Sequence, residues 1–232
     1  YGFNSDYTDL AISHSPNAVY LIQSITTWKT IPLWSDTIYG GYPFASDPLS
    51  GLWYPPGWLV LVYPSAFLFN LIVLLHLFWG GLGIFRWLDR QGYSLPGALF
   101  GAILFESMPK VLAHFAAGHV TLVYAISWTG WLLFAEDVRQ NSKKGFGWVL
   151  PGMVLGMILL ADVRWGVYAG LLWIGYGIFL LVERKIIGNK PIRTKEIIRI
   201  VWGWSKGFIL AFVAGFIAAA PLLLPLSEFI TL

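Results

Sequence analysis

From Ser65 onward the chain is a succession of long apolar runs separated by short polar stretches. A helix needs about 20 residues to cross a hydrocarbon core of roughly 30 Å. This pattern predicts spans near 65–87, 94–110, 121–134, 147–161, 166–182 and 202–224. Several are short, which predicts helices that are shielded by neighbours, kinked, or continued by helices outside the cytoplasmic side, because lipid does not tolerate irregular exposed backbone. The expected fold class is an all-α polytopic membrane protein. The first stretch reads differently. Ser15-Pro16, Gly40-Gly41, Asp47-Pro48 and Tyr54-Pro55-Pro56 punctuate it with turns, so it does not span. Ser15 ahead of Pro16 reads as a helix start, opening a short amphipathic helix with Ala18, Leu21, Ile22 and Ile25 on one face, expected along the membrane surface. The organisation that follows is a loop with surface helices over 1–64 and a helical bundle over 65–232.

Composition agrees with a bilayer. Apolar residues make up 57% of the chain and charged residues 12%, while thirteen Trp and eleven Tyr exceed what a soluble core needs and suit the membrane interface. Cysteine is absent, which excludes disulfides, thiolate metal sites and thiol nucleophiles. A net charge of +3 gives no argument for nucleic acid. The chain starts on Tyr1 with no signal-peptide pattern and stops on an apolar stretch, which predicts an internal piece of a longer protein with a further span upstream.

Charge placement sets the expected orientation. Reading the loops alternately, twelve of fifteen Lys and Arg fall on one side: Arg86, Arg90, Arg139, Lys143, Lys144, Arg184, Lys185, Lys190, Arg193, Lys195, Arg199 and Lys206. Only Lys29, Lys110 and Arg164 fall on the other. The positive-inside rule makes the twelve cytoplasmic and puts residues 1–64, the loop 106–119, the turn 162–164 and Glu228 outside the cell membrane's cytoplasmic face. Seven of twelve acids then lie outside: Asp6, Asp9, Asp36, Asp47, Glu106, Asp162 and Glu228.

Each cluster of outer polar residues has a functional and a structural reading. Asp6 and Asp9, three apart, share a face on one helical turn, where a carboxylate suits a general base or a divalent cation. The alternative is a turn or cap residue beside a solvated one. Arg164, two residues after Asp162, suits a bidentate phosphate contact; the alternative is a snorkelling Arg paired with Asp162 next to Trp165. Glu106 and Lys110 have the spacing of a helical ion pair. His114 and His119, five apart, are poor metal-ligand spacing, and Lys110 or His119 suits an anionic headgroup instead. His76, inside a span, reads as a packing or interhelical hydrogen-bonding residue, and the span interiors otherwise hold almost nothing ionisable. Trp34, Tyr39, Tyr42, Phe44, Trp53, Tyr54 and Trp58 either stack on sugar faces and cover an isoprenoid chain, or anchor the segment at headgroup level. No Gly-rich phosphate loop, HExxH or GxSxG motif is present, which removes most support for soluble-type hydrolases and nucleotide-driven pumps.

In order, the segment carries Asp6-Tyr-Thr-Asp9-Leu10, Pro32-Leu33-Trp34, Gly40-Gly41-Tyr42-Pro43, Asp47-Pro48 and Trp53-Tyr54-Pro55-Pro56, then a span with Leu75-His76. That order, over roughly residues 6–120, resembles the YfhO-like membrane proteins of bacteria and archaea, relatives of the GT-C glycosyltransferases. The resemblance implies a GT-C-like bundle and transfer of a sugar from a polyprenyl-phosphate donor to an outer-face acceptor. It implies Asp9 or Asp6 as catalytic base, with Asp9-Leu10 the better match. It implies Arg164, Lys110 and His119 on the donor phosphate, and Trp34, Tyr42, Asp47, Tyr54 and Glu106 lining the substrate. The loop 106–119 lacks Asp-x-Asp, so the implied transfer is inverting and independent of metal or other cofactor. Its partners are membrane lipid and the lipid-linked sugar. Two further readings are a transporter or flippase of lipid-linked cargo and a non-catalytic membrane scaffold; the nearly empty span interiors count against the transporter.

Overall fold

The computed structural model describes residues 8–37, 40–142, 145–183 and 194–231. Helix accounts for 81% of the described residues, and no strand occurs among them. Four helical stretches are long and apolar enough to cross a membrane: 66–90, 95–116, 163–181 and 195–231.

The chain opens with a π-turn at Leu10–His14 that runs into α1 (Ser15–Thr26). The start of α1 lies where Pro16 predicts it, but the helix is a packing element. Ala18, Leu21 and Ser24 are buried while Ile25 is exposed. Leu21 forms a small core with Phe44, Ala45 and Leu52, so α1 holds the aromatic turns of residues 42–53 together. Short 3-10 turns follow at Phe44–Ser46 and Pro55–Val62.

Ser65 then caps α2 (Ala66–Arg90), its side-chain oxygen accepting from the Leu68 amide at 3.3 Å. This helix ends on Gly92, whose φ of +86° lets the Gly92 and Tyr93 amides return to the Asp89 and Leu88 carbonyls. The expected second span is α3 (Leu95–Glu106), and the expected loop 106–119 is largely helix: α4 (Pro109–Ala116) follows after a break at Pro109, which cannot donate into the preceding turn, and extends the apolar stretch to 116. The expected third span is divided at Trp128 into α5 (Val120–Ser127) and α6 (Thr129–Asn141). The expected fourth is α7 (Phe146–Ala161), 16 residues and about 24 Å long, shorter than a hydrocarbon core. It is followed by α8 (Val163–Leu181) and by α9 (Thr194–Thr231), whose 38 residues far exceed the expected 202–224.

Small residues set the closest helix approaches. Gly152 and Gly156 of α7, one turn apart, face Ala211, Gly215 and Ala218 of α9; a Cβ built on Gly152 would lie 1.7 Å from the Ala211 carbonyl oxygen. Gly83 of α2 meets Trp131 of α6, and Gly130 meets Ile84 as closely. The main core, around Ile72, Val123, Leu132, Ile158 and Trp173, therefore forms where α2, α5, α6, α7 and α8 converge. At one end of this bundle lie Asp9, His119 and Asp162; at the other lie Arg90, Arg139 and Arg199.

Candidate functional site

The turn between α7 and α8 places Asp162 in extended backbone (φ −158°), and its carboxylate caps α8 by accepting from the Arg164 and Trp165 amides at 2.9 and 3.3 Å. The same carboxylate binds one edge of the Arg164 guanidinium through two nitrogens, Nε at 3.1 Å and Nη2 at 2.7 Å, and Thr121 Oγ1 donates to it at 3.4 Å. Asp162 is buried, whereas the Arg164 side chain is 61% exposed. The anchor is fixed and the guanidinium reaches outward.

His119 stands at the corner between α4 and α5. Gly118 makes this corner with φ +81°, and a Cβ there would lie 2.8 Å from the Leu10 amide nitrogen, so the corner presses directly on residues 8–10. The Asp9 amide donates to the Ala117 carbonyl at 3.4 Å. With both backbones held, Asp9 Oδ2 lies 3.3 Å from His119 Nε2, and His119 Nδ1 lies 3.0 Å from His114 Nδ1. A bare nitrogen lone pair facing a carboxylate is repulsive, so Nε2 of His119 carries hydrogen. When both rings are neutral, His119 Nδ1 is then the acceptor and His114 the donor.

The charges here act on one another. Asp9 acts electrostatically on Arg164 and on His14, and Asp162 acts on His14 and His114. Lys110 also acts on His114, from the rim. His14 is buried against a cavity of about 50 Å³ that Tyr54, Thr121, Tyr124 and Ala161 also line. Burial lowers its pKa to about 4, with Asp9 opposing, so it is neutral at neutral pH. The fold thus gathers Asp9, Arg164 and His119 around one polar corner, with Lys110 one turn from His114 on α4. Asp6, the other base candidate, lies outside the described residues.

The expected substrate-lining residues divide into three places. Trp34 and Tyr42 line a groove of about 1060 Å³ between the aromatic turns and α9, with Leu33, Trp53, Pro221 and Phe229. Asp47 supports that wall from behind: it accepts from the Leu49 amide at 2.8 Å and lies 3.5 Å from both the Tyr42 hydroxyl and Asn17 Nδ2. Burial raises the Asp47 carboxyl, and burial followed by Asp47 pushes Tyr42 up to about 12. Tyr54 is fully buried rather than lining an open site. Its hydroxyl lies 2.8 Å from His76 Nε2 and accepts from Trp128 Nε1 at 2.8 Å. Burial, opposed by the Trp128 hydrogen bond, raises its pKa. Glu106 stands apart from the rest. It packs on Gly81 of α2, and no ion pair joins it to Lys110 among the described residues, because the α3–α4 break intervenes. Fifteen residues of α2 separate Gly81 from Ala66, about 22 Å at the helical rise, so Glu106 lies well down the bundle from the Asp9 corner.

Sequence reasoning missed two features. His14 stood out only as one more outward titratable side chain, with no role assigned. The other is a charged cluster inside the bundle: Glu136 and Arg139 are both buried, paired through Nε at 2.8 Å and Nη2 at 2.7 Å, with Trp173 and Gln140 donating to the same carboxylate at 2.8 Å each. Beside them Asp137, also buried, pairs with Arg90. Their three-residue spacing after an apolar run was the available signal. These groups lie just past the expected third span, at the basic end of the bundle, and are buried there by helix packing. Among the described residues no three His, Asp or Glu side chains form a metal-binding group. Comparison with known protein families, with curated proteins and with solved structures found no match to this chain.

Proposed function

We propose that this chain is the membrane core of a GT-C-type glycosyltransferase that moves a sugar from a polyprenyl phosphate to an acceptor hydroxyl on the extracytoplasmic side. In this reading α5 with α6 and the short α7 also cross the bilayer, giving six spans, and the basic end faces the cytoplasm. The observation that carries the reading is the convergence of Asp9, His119 and Arg164 at one corner of the bundle, from three distant parts of the chain. A base and a cation a short distance apart are the parts this transfer needs.

Asp9 takes the acceptor proton as the acceptor oxygen bonds to the anomeric carbon. The carbon–oxygen bond to the polyprenyl phosphate breaks, and its electron pair leaves with the phosphate. Arg164 holds that growing negative charge with the Nη1 edge not committed to Asp162, and Lys110 adds positive potential from the rim. His119 keeps the Asp9 carboxylate oriented. The apolar groove beside Trp34 and Tyr42 suits the isoprenoid chain.

The test is transfer of labelled sugar from a polyprenyl-phosphate donor by the full-length protein in liposomes. Asp9→Asn and Arg164→Gln should each abolish most turnover. Unchanged rates in both variants would sink the reading and favour a scaffold in which the Arg164–Asp162 pair is structural only.

A further inference from the structure

At the basic end a cavity of about 270 Å³ opens between the C-terminal end of α6, the start of α7 and α9. We infer that it is a headgroup site for an anionic glycerophospholipid, a role separate from the transfer chemistry and independent of it.

Its walls decide what it can hold. Gln140 has spent its amide on Glu136 and on the Gly177 carbonyl, the Trp148 indole donates to the Ser142 carbonyl, and the Ser142 hydroxyl donates to Val138. The Glu136 carboxylate is committed to Arg139, Gln140 and Trp173. The unspent donors along the lining are guanidinium and indole N–H groups. Arg139, itself 5% exposed, keeps Nη1 with only a long 3.4 Å contact to the Trp204 carbonyl. Exposed Arg199 stands in the same lining. Trp204 has a buried Nε1 that finds no hydrogen-bond partner among the described residues. A cavity with unspent donors and a guanidinium at its mouth selects an acceptor-rich anion, and a phosphodiester fits that description.

The surroundings distinguish a lipid from a soluble anion. Arg199 lies on α9, a helix long and apolar enough to cross a membrane, and the same stretch exposes Ile198 and Trp202. Lys206 lies 5.0 Å from the centre of the Trp202 ring, the aromatic-and-cation arrangement of a headgroup layer. Basic pockets between membrane helices at such a level bind anionic headgroups. Gly203, which also lines the cavity, has nothing within 4 Å of a built Cβ, so the backbone leaves the space open.

The full chain in detergent tests this by thermal unfolding with added phosphatidylglycerol, phosphatidylcholine or inorganic phosphate. Phosphatidylglycerol should raise the midpoint and phosphatidylcholine should not. Arg199→Gln should weaken the phosphatidylglycerol response about fivefold, as expected for one interfacial cation. Gly203→Leu, which fills open space, should remove the response without lowering the lipid-free midpoint. Equal stabilisation by both lipids overturns the proposal, as does an undiminished response in both variants. A full response to inorganic phosphate overturns the lipid assignment in favour of a soluble-anion site.

Discussion

Asp9 Oδ2 lies 3.3 Å from His119 Nε2 because Gly118 brings the α4–α5 corner onto the backbone of residues 8–10. Gly118→Ala removes that possibility twice over: alanine disfavours φ +81°, and its Cβ would lie within 2.8 Å of the Leu10 amide. The variant should lose about 1–3 kcal/mol of stability. Its sugar-transfer rate in the liposome assay should fall with Asp9 displaced, even at temperatures where it stays folded. A variant as active and as stable as the parent would show that this contact positions nothing.

His14 makes the packing of α1 sensitive to acid. Burial lowers its pKa from 6.5 to about 4 in the folded chain, so the folded state binds its proton more weakly than the unfolded state. The stability that neutral His14 preserves is complete above pH 6.5 and is lost as pH falls toward 4, an effect on the order of 3 kcal/mol. His14→Phe should flatten the midpoint-against-pH curve in that window. A wild-type curve that is flat between pH 6.5 and 4 would rule out the buried neutral state.

Much of the architecture was legible because apolar runs have a length. The run after Ser65 is α2, and the run between Arg164 and Val182 is α8. The division at Trp128 was harder to read, since the apolar character continues across it, whereas Glu106, Ser107 and Pro109 mark the one before α4. Burial of Glu136 was illegible for a different reason. A carboxylate after an apolar run normally marks the water boundary, and only the approach of α8 and α9, which brings Trp173 and Trp204 against the pair, turns that boundary into an interior. Asp9, Arg164, His119 and Lys110 could be nominated one by one from residue type and side of the membrane. That the first three meet depends on Gly118 and on the Asp162 cap, long-range facts with no local signature.

The Glu136–Arg139 pair is the costliest polar feature of the interior and should behave as one unit. Removing one partner leaves the other buried without compensation, so Glu136→Leu or Arg139→Met should cost about 3–5 kcal/mol. Replacing both, as Glu136→Leu with Arg139→Met, should recover a large part of that loss. Chemical denaturation of the single and double variants in matched detergent provides the cycle. Additive losses would show that the two side chains contribute independently.

The hydrogen bonds around Tyr54 fix a tautomer. The Ile72 carbonyl, 2.8 Å from His76 Nδ1, only accepts, so Nδ1 must carry the hydrogen. Nε2 is then a bare acceptor for the Tyr54 hydroxyl at 2.8 Å, and the Tyr54 oxygen takes the Trp128 indole hydrogen. Every donor in this chain of three side chains has one acceptor, and none can be reversed, because the indole only donates. Nitrogen-resolved NMR of labelled protein should find His76 with hydrogen on Nδ1. Tyr54→Phe keeps the ring contact with Tyr124 but orphans both the indole and the imidazole, which should cost about 1–3 kcal/mol. Were hydrogen found on Nε2 instead, the Ile72 contact would be two acceptors facing each other, and the assignment of Tyr54 as donor would have to be abandoned.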